Sequence, residues 1–346
     1  MMHQPGSFLT ERNRPSLFTI TCSKRYRQHS DRRRRVVFKL AWLAVIAACP
    51  LQGFRAQDLV PRAYVITPVH SNAVILIYSF SDGGLLFDNA VPITDAKAKI
   101  QVSIFSYYHT LNFFGRLANI TASLPYGVAN FQGKFIDNET KLYRSGLLDS
   151  TFRFSVNLKG GPAMSVKEFL SWQQKTILGV SLKVVAPTGQ YDPTKLINNG
   201  SNRWAFKPEF GYSGRGGHWV LDAYGGVWFF TTNAEFFSHN TFFRGTQTHS
   251  QKPVGSFEGH LSYDVKPRLW VSLDGDFWHG GSTSLNGIAN NNTVQTSSRI
   301  GATASIPVST HQSLKVSYSN GAYVRFGGNY QNVSVAWQYS WLGRPD

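Results

Sequence analysis

The residues best placed to do chemistry are charged side chains on the polar face of an alternating pattern. Arg153, Lys183, Lys207, Glu209, Asp222, Glu258, His260, Asp274 and Asp276 occupy such positions, with Lys159 and Lys315 in the same class. Mixed signs on one face imply facing ion pairs. Such pairs can line an aqueous path, narrowing it and steering polar or anionic solutes as rings of charge do in pores. They can equally fill and brace the space between two walls. A second group of donors and acceptors, Tyr191, Asp192, Lys195, Asn198, Asn202 and Arg203, lies in one connector. Pro187 and Gly189 end the strand before it, while Asp192-Pro193 and Asn198-Asn199-Gly200 supply turns. That connector either folds inward as a constriction or stays at the surface, held by its own turns.

Other chemistry finds little support. Ser319-Asn320-Gly321 offers a hydroxyl nucleophile, but its neighbours in the sequence, Ser317 and Tyr318 on one side and Ala322 and Tyr323 on the other, supply no base. A serine without a base in reach is a poor nucleophile, so no catalytic residue is assigned. His260 and His279 have no second histidine or carboxylate at metal-ligand spacing, and no phosphate-binding glycine loop is present. No cofactor is expected. Both cysteines, Cys22 and Cys49, precede residue 57, which removes disulfide, thiol and cysteine-metal chemistry from everything after it.

The elements that must position these groups are strands. Val333, Val335, Trp337, Tyr339 and Trp341 interleave with Ser334, Ala336, Gln338 and Ser340. Leu269, Val271, Leu273 and Phe277 oppose Ser272, Asp274 and Asp276, and Phe152, Phe154, Val156 and Leu158 oppose Arg153, Ser155, Asn157 and Lys159. A sheet with bulky apolar groups on one face and charge on the other suits lipid outside and water inside. A soluble β-sandwich with a wet outer face predicts alternation too. Strands are expected near residues 72–80, 100–109, 113–125, 148–159, 175–186, 203–212, 218–230, 253–264, 268–278, 297–306, 312–320 and 329–341.

Connector lengths separate those two readings. Residues 81–99, 126–147, 187–202, 231–252 and 279–296 form long connectors, whereas 110–112, 213–217, 265–267 and 307–311 are short. Tight turns on one side and free loops on the other mark outer-membrane barrels. Two connectors depart from the rule. The 160–174 connector is long on the short side, and Ser165 followed by Glu168 before Phe169 and Leu170 predicts a short capped helix there. The 321–328 connector is short for an outer loop. The fold expected is therefore an all-β transmembrane antiparallel barrel of twelve strands. That number lies between small filled barrels and the wide porins, so conductance should be small or gated by a loop. Aromatic pairs at strand ends, such as Tyr107-Tyr108 and Phe229-Phe230, fit interfacial girdles.

Charge and targeting fit export. The net charge of +16 is concentrated at the amino terminus: residues 1–56 hold 11 of the 35 basic residues and only Glu11 and Asp31 as acids, leaving 24 against 17, or +7. Without a basic stripe, nucleic acid is not an expected partner. Arg32 to Arg35 followed by the apolar run from Val36 to Cys49 read as a signal peptide over residues 32–56, cut after Ala56. Ile46-Ala47-Ala48-Cys49 alternatively forms a lipoprotein box, with Cys49 lipidated. Residues 1–31 are then a disordered extension or a misassigned start, and 57–346 the barrel. No later stretch reaches the ~18 consecutive apolar residues of a membrane helix. Location in a bacterial outer membrane implies its lipid and the barrel-assembly machinery as partners.

Residues 186–211, running from Ala186-Pro187-Thr188-Gly189-Gln190-Tyr191-Asp192-Pro193 to Trp204-Ala205-Phe206-Lys207-Pro208-Glu209-Phe210-Gly211, resemble the hallmark of the meta-pathway phenol-degradation family. Similar matches run from Gln57 to Tyr64, Gly83 to Asp88, Phe152 to Leu158 and Val335 to Tyr339. The resemblance implies an outer-membrane barrel acting as a channel or transporter for passive passage of small hydrophobic or aromatic, phenol-like solutes. It assigns no binding residue. A structural or adhesive barrel without an open pore is the alternative. A barrel lipid hydrolase is a further one, because Ser319-Asn320-Gly321 resembles part of the active-site motif of outer-membrane phospholipases.

Overall fold

The computed structural model describes residues 59–86, 93–135, 138–241 and 243–343. The leader reading of residues 1–31, the signal peptide 32–56, the Cys49 box and the cut after Ala56 lie outside the described residues.

The wall contains β1 (Ser71–Leu86), β2 (Ile93–Phe113), β3 (Arg116–Phe135), β4 (Asn138–Leu147), β5 (Thr151–Lys159), β6 (Thr176–Val185), β7 (Ala205–Gly216) and β8 (Trp219–Phe230). It continues through β10 (Val254–Lys266), β11 (Leu269–Gly280), β14 (Gln295–Pro307), β15 (Gln312–Val324) and β16 (Gly327–Leu342). Every neighbour is antiparallel, and the ring closes where β1 pairs with β16, from Ser71 opposite Leu342 to Leu86 opposite Gly327. β4 and β5 are successive pieces of one stave: β4 pairs with Tyr126 to Phe135 of β3, and β5 with Ala118 to Ser123. The result is a closed twelve-strand barrel. Closure satisfies each backbone donor and acceptor without solvent, which an open edge or a two-sheet sandwich in lipid would not. Among the described residues no helix is long and apolar enough to cross a membrane.

Alternation sorts the side chains. On β11, Trp270, Ser272, Asp274, Asp276 and Trp278 are buried inside while Val271, Leu273 and Phe277 are exposed outside, Leu273 to 68%. β8 and β10 repeat the pattern, with Asp222, Glu258 and His260 inside and Leu221, Phe229, Phe257 and Leu261 outside. Exposed rings and branched chains on a continuous outer face are stable against hydrocarbon and costly against water.

Both chain ends of the wall meet the short turns at one end. There β2 and β3 are joined by Phe114 and Gly115, both with positive φ, the conformation that a two-residue hairpin turn requires. The long 160–174 connector forms α1 (Val166–Ser171) as its sequence predicts: the Ser165 side chain accepts from the Glu168 amide, and Glu168 accepts from the Ser165 amide.

At the long-loop end two expectations are corrected. Residues 81–99 and 126–147 are not loops. They are mostly hydrogen-bonded hairpins that prolong β1, β2, β3 and β4 beyond the wall. Alternation continues there with opposite polarity: Ala98, Ile100, Val102, Ala129, Phe131 and Tyr330 pack inside, and Lys97, Lys99, Gln101, Asn130 and Gln132 face outward. Polar outer faces mark where the wall has left lipid, so the strands persist with water outside. Likewise β15 and β16 extend until only Arg325 and Phe326 separate them. Above the mouth, β9 (His249–Gln251), β12 (Thr283–Leu285) and β13 (Ile288–Asn290) form a small second sheet.

Candidate functional site: the barrel lumen

One wall carries a continuous belt of charge. Arg153 on β5 lies 3.7 Å from Glu209 on β7, and Lys207 bridges Glu209 and Glu258 at 2.8 Å each. His260 then sits between Glu258, at 3.9 Å, and Asp274, at 2.9 Å. Both Asp274 oxygens are used, since Ser272 also donates to Oδ1 at 2.8 Å and Thr303 to Oδ2 at 2.7 Å. The belt thus crosses β5, β7, β10, β11 and β14. One step nearer the loops, Asp276 stands opposite Arg299, whose Nη1 donates to Ser319 Oγ at 3.0 Å. Ser319 therefore faces a cationic donor in place of a base. Lys183 and Lys207 approach the face of Trp228 at 5.9 and 5.8 Å. Belt residues other than Arg153 and Lys183 are nearly inaccessible, so desolvation makes their pairing obligatory.

The belt also holds residues the spacing did not single out. Residues 59–69 precede β1 and lie inside the barrel at the short-turn end. Arg62 pairs with Asp264 at 2.7 Å, stacks 4.5 Å from the Trp270 ring, and gives its amide to Asp222 at 3.1 Å. The Ala63 amide donates to Tyr224 Oη at 3.0 Å. Tyr64, 1% exposed, puts its hydroxyl 3.1 Å from Glu209 and 3.2 Å from Ser181, beneath the Arg153 guanidinium. Burial, reinforced by the Glu209 charge, pushes the Tyr64 phenol up to about 12, keeping it a neutral donor. Gly179 and Gly211 make room for that ring, since a Cβ at either would overlap it. Ile66 packs with Leu117, Met164 and Ile177 below. The matching stretch Gln57 to Tyr64 was visible in the sequence, but eleven residues without periodicity carry no signal of an inward path.

The opposite wall is different. Ala73, Ile75 and Ile77 of β1, Ile100, Val102 and Ile104 of β2, Pro125 and Ala129 of β3, and Ala336 of β16 face a cavity of about 1690 Å³, with Ser79, Ser106, Ser123 and Ser334 among them. Around Ala73, Ile75, Ile77 and Ile104 the strip is apolar on the inner face as well as the outer, with Leu76, Tyr78 and Phe105 outside, whereas Ile100, Val102 and Ala129 belong to the prolonged part whose outer face is polar. Its signal in the sequence is the uninterrupted run Ala73-Val74-Ile75-Leu76-Ile77-Tyr78, where alternation lapses.

A lid closes over the other end. Asp149, in the break between β4 and β5, accepts from the Gly189 amide at 3.0 Å and from the Ser201 amide and hydroxyl at 3.0 and 2.6 Å. Asn233 donates to Tyr191 Oη at 2.8 Å and accepts from Asn202 at 3.1 Å. Tyr191 and Asn198 line the cavity. Asp192, Lys195 and Asn198 bind one another: Asp192 pairs with Lys195 at 2.9 Å, and Asn198 donates to the carbonyls of both. Hydrogen bonds from Thr194 and Lys195 hold the Asp192 carboxyl down at about 2. Arg203 is buried, donating to Gln251 and stacked 4.6 Å from the Phe230 ring. Its neighbour His249 is driven down to about 3 by burial and then by the Arg203 charge. The candidate residues therefore form two groups, a belt within the wall and a lid held by its own bonds, and Asp149 was not foreseen.

Residues 86–335 match the sequence family described as "Putative MetA-pathway of phenol degradation". No curated protein matches the chain. The chain is similar in structure to an outer membrane channel from Pseudomonas putida F1, with a TM-score of 0.69 and 19% identity over 82% of this chain and 100% of that one. It is also similar to the β-domain of the Bordetella autotransporter BrkA, with a TM-score of 0.49 and 11% identity over 78% of this chain and 100% of that one. The translocator domain of NalP from Neisseria meningitidis gives a TM-score of 0.47 and 11% identity over 84% and 94%.

Proposed function

The chain belongs to this phenol-degradation family, and on that premise we propose that it is a channel of the bacterial outer membrane for passive passage of small hydrophobic or aromatic solutes. The observation that carries the reading is the apolar inner strip Ile75, Ile77, Ile100, Val102 and Ile104 facing a cavity of about 1690 Å³. A water-filled sieve would line this wall with polar groups, whereas an apolar strip lowers the cost of desolvating an apolar solute. The belt braces the facing wall and holds the 59–69 segment, so the path runs along the strip. Export by a signal peptide over residues 32–56, a mature chain from Gln57 to Asp346 and insertion by barrel-assembly machinery complete the proposal. Lipid covers the outer face, and the site uses no metal or cofactor.

The test is uptake of radiolabelled phenol and toluene by cells with an intact lipopolysaccharide leaflet. Expression of the chain should speed uptake, and Ile77→Lys with Ile104→Lys should remove the gain while the barrel still shifts mobility on heating in SDS. Equal uptake with and without the chain would reject the reading. It would favour a barrel without an open pore, for which the Arg62 and Tyr64 contacts are the supporting observation.

A further inference from the structure

Most cations that bind the belt or the 59–69 segment meet a carboxylate: Arg62 and Arg215 meet Asp264, Lys207 meets two glutamates, and Arg153 meets Glu209. Lys315 differs. Its ammonium lies 5.6 Å from the Trp270 ring and, among the described residues, makes no hydrogen bond or ion pair. The Asp274 carboxylate of the same wall is already committed to His260, Ser272 and Thr303. An ammonium facing a cavity in a low-dielectric wall attracts an anion strongly.

Its row across the barrel shows what kind of anion. Strand register runs Trp270, Ser305, Lys315, Ala336, Ile77, Ile104 in a single line across six strands, and all six side chains line the cavity. On one side of Lys315 stand a small hydroxyl and an indole. On the other are a methyl group and two isoleucines that make an apolar floor. Strands lie about 4.8 Å apart, so Ile77 is about 10 Å from Lys315 along the row. The ammonium stands on the indole side of the row, and its flexible four-carbon stem lets it swing out over Ala336 to meet an anion whose one aromatic ring lies on that floor. Ser313 and Ser317 flank Lys315 on its own strand and can share the charge.

We propose that Lys315, with Ser313 and Ser317 and the floor of Ala336, Ile77 and Ile104, is a binding site for a monocyclic aromatic carboxylate. The carboxylate sits on the ammonium and the ring on the isoleucines. This deepens the channel reading and rests on it for its physiological meaning, because it places an anion-selective station on the apolar path. A neutral apolar solute passes the same floor without being held.

The experiment is equilibrium binding of benzoate to the purified full-length barrel in nanodiscs, by calorimetry and Trp fluorescence. Wild type should bind benzoate at least about ten-fold tighter than benzamide, the neutral isostere, since a charge-assisted hydrogen bond is roughly twice as strong as a neutral one. Lys315→Met should lose that preference and Lys315→Arg should restore it, while Lys141→Met, at an exposed position of β4 away from the cavity, should leave it intact. Equal affinity for benzoate and benzamide in wild type would overturn the proposal without any variant having to fold. Preference retained in Lys315→Met would overturn it as well. Binding without uptake would sink the channel reading alone, and phenol uptake without benzoate preference would sink this site alone.

Discussion

The Tyr64 hydroxyl meets Glu209 Oε1 at 3.1 Å although 145 residues separate them, tying the segment before the first strand to the seventh. One neutral donor thereby fastens the segment to a belt already satisfied by Lys207 and Arg153. Tyr64→Phe should cost ~1.5–3 kcal/mol, the net worth of one hydrogen bond to a charged group, and leave conductance near wild type because the ring still fills its place. Tyr64→Ala should cost ~3–5 kcal/mol as a buried aromatic is lost, and single-channel conductance should rise. Planar-bilayer recordings and the temperature of the SDS mobility shift read both; identical conductance in the two variants would show that the ring does not obstruct the path.

Gly211 reaches the same ring from the wall. A Cβ there would overlap the Tyr64 ring, so Gly211→Val should displace the segment without altering it and reproduce the Tyr64→Ala conductance. A Gly211→Val barrel with wild-type conductance would mean that the segment yields sideways and stays in the path.

Lys207 stands between two buried glutamates at 2.8 Å each. Removing a buried charge leaves its partners uncompensated, and Lys207→Met should cost ~3–5 kcal/mol. The triple variant Lys207→Met, Glu209→Gln, Glu258→Gln should recover most of the loss, since no charge is then left unpaired. A triple variant as unstable as the single one would show that packing around the lysine stem, and not charge, sets the cost.

The sequence showed the wall more readily than its contents. Period two survives wherever the two faces meet different solvents, which is why all twelve strands and the inward direction of Lys207, Glu258, His260 and Asp274 were legible. It misled above the membrane, where Lys97 and Lys99 face water and Ala98 and Ile100 pack inside: the same alternation with reversed polarity reads as loop to a search for outward apolar groups. It was silent about Arg62 and Tyr64, because an irregular segment shows its direction only through partners more than a hundred residues away. Asp149 was hidden for a similar reason. A lone carboxylate gains meaning only when Gly189 and Ser201 fold back onto it.

That carboxylate is the hinge pin of the lid. Asp149 accepts three hydrogen bonds from residues 189 and 201, and Asp149→Ala should expose the 187–202 connector while leaving the wall, whose strands it does not join, resistant. Limited proteolysis followed by mass spectrometry should find new cuts between Gln190 and Asn202 only. Cuts within β7 or β8 would show that Asp149 supports the wall itself.

The lid should also loosen in acid, with His249 as the origin. Burial and the Arg203 charge hold its folded value near 3 against 6.5 for a free imidazole, so the open state binds the proton more readily. For a group depressed on folding, the contribution is complete above about 6.5 and is lost as pH falls toward 3. Asp192, held at about 2 against 3.8, adds its loss only below about 4, so the two windows are separable. Hydrogen exchange at the His249 and Asn233 amides, which donate to each other's carbonyls across the lid, should accelerate beyond the intrinsic chemical rate between pH 6 and pH 4. His249→Gln should flatten that dependence, and acid loosening that persists in His249→Gln would assign the effect to a different group.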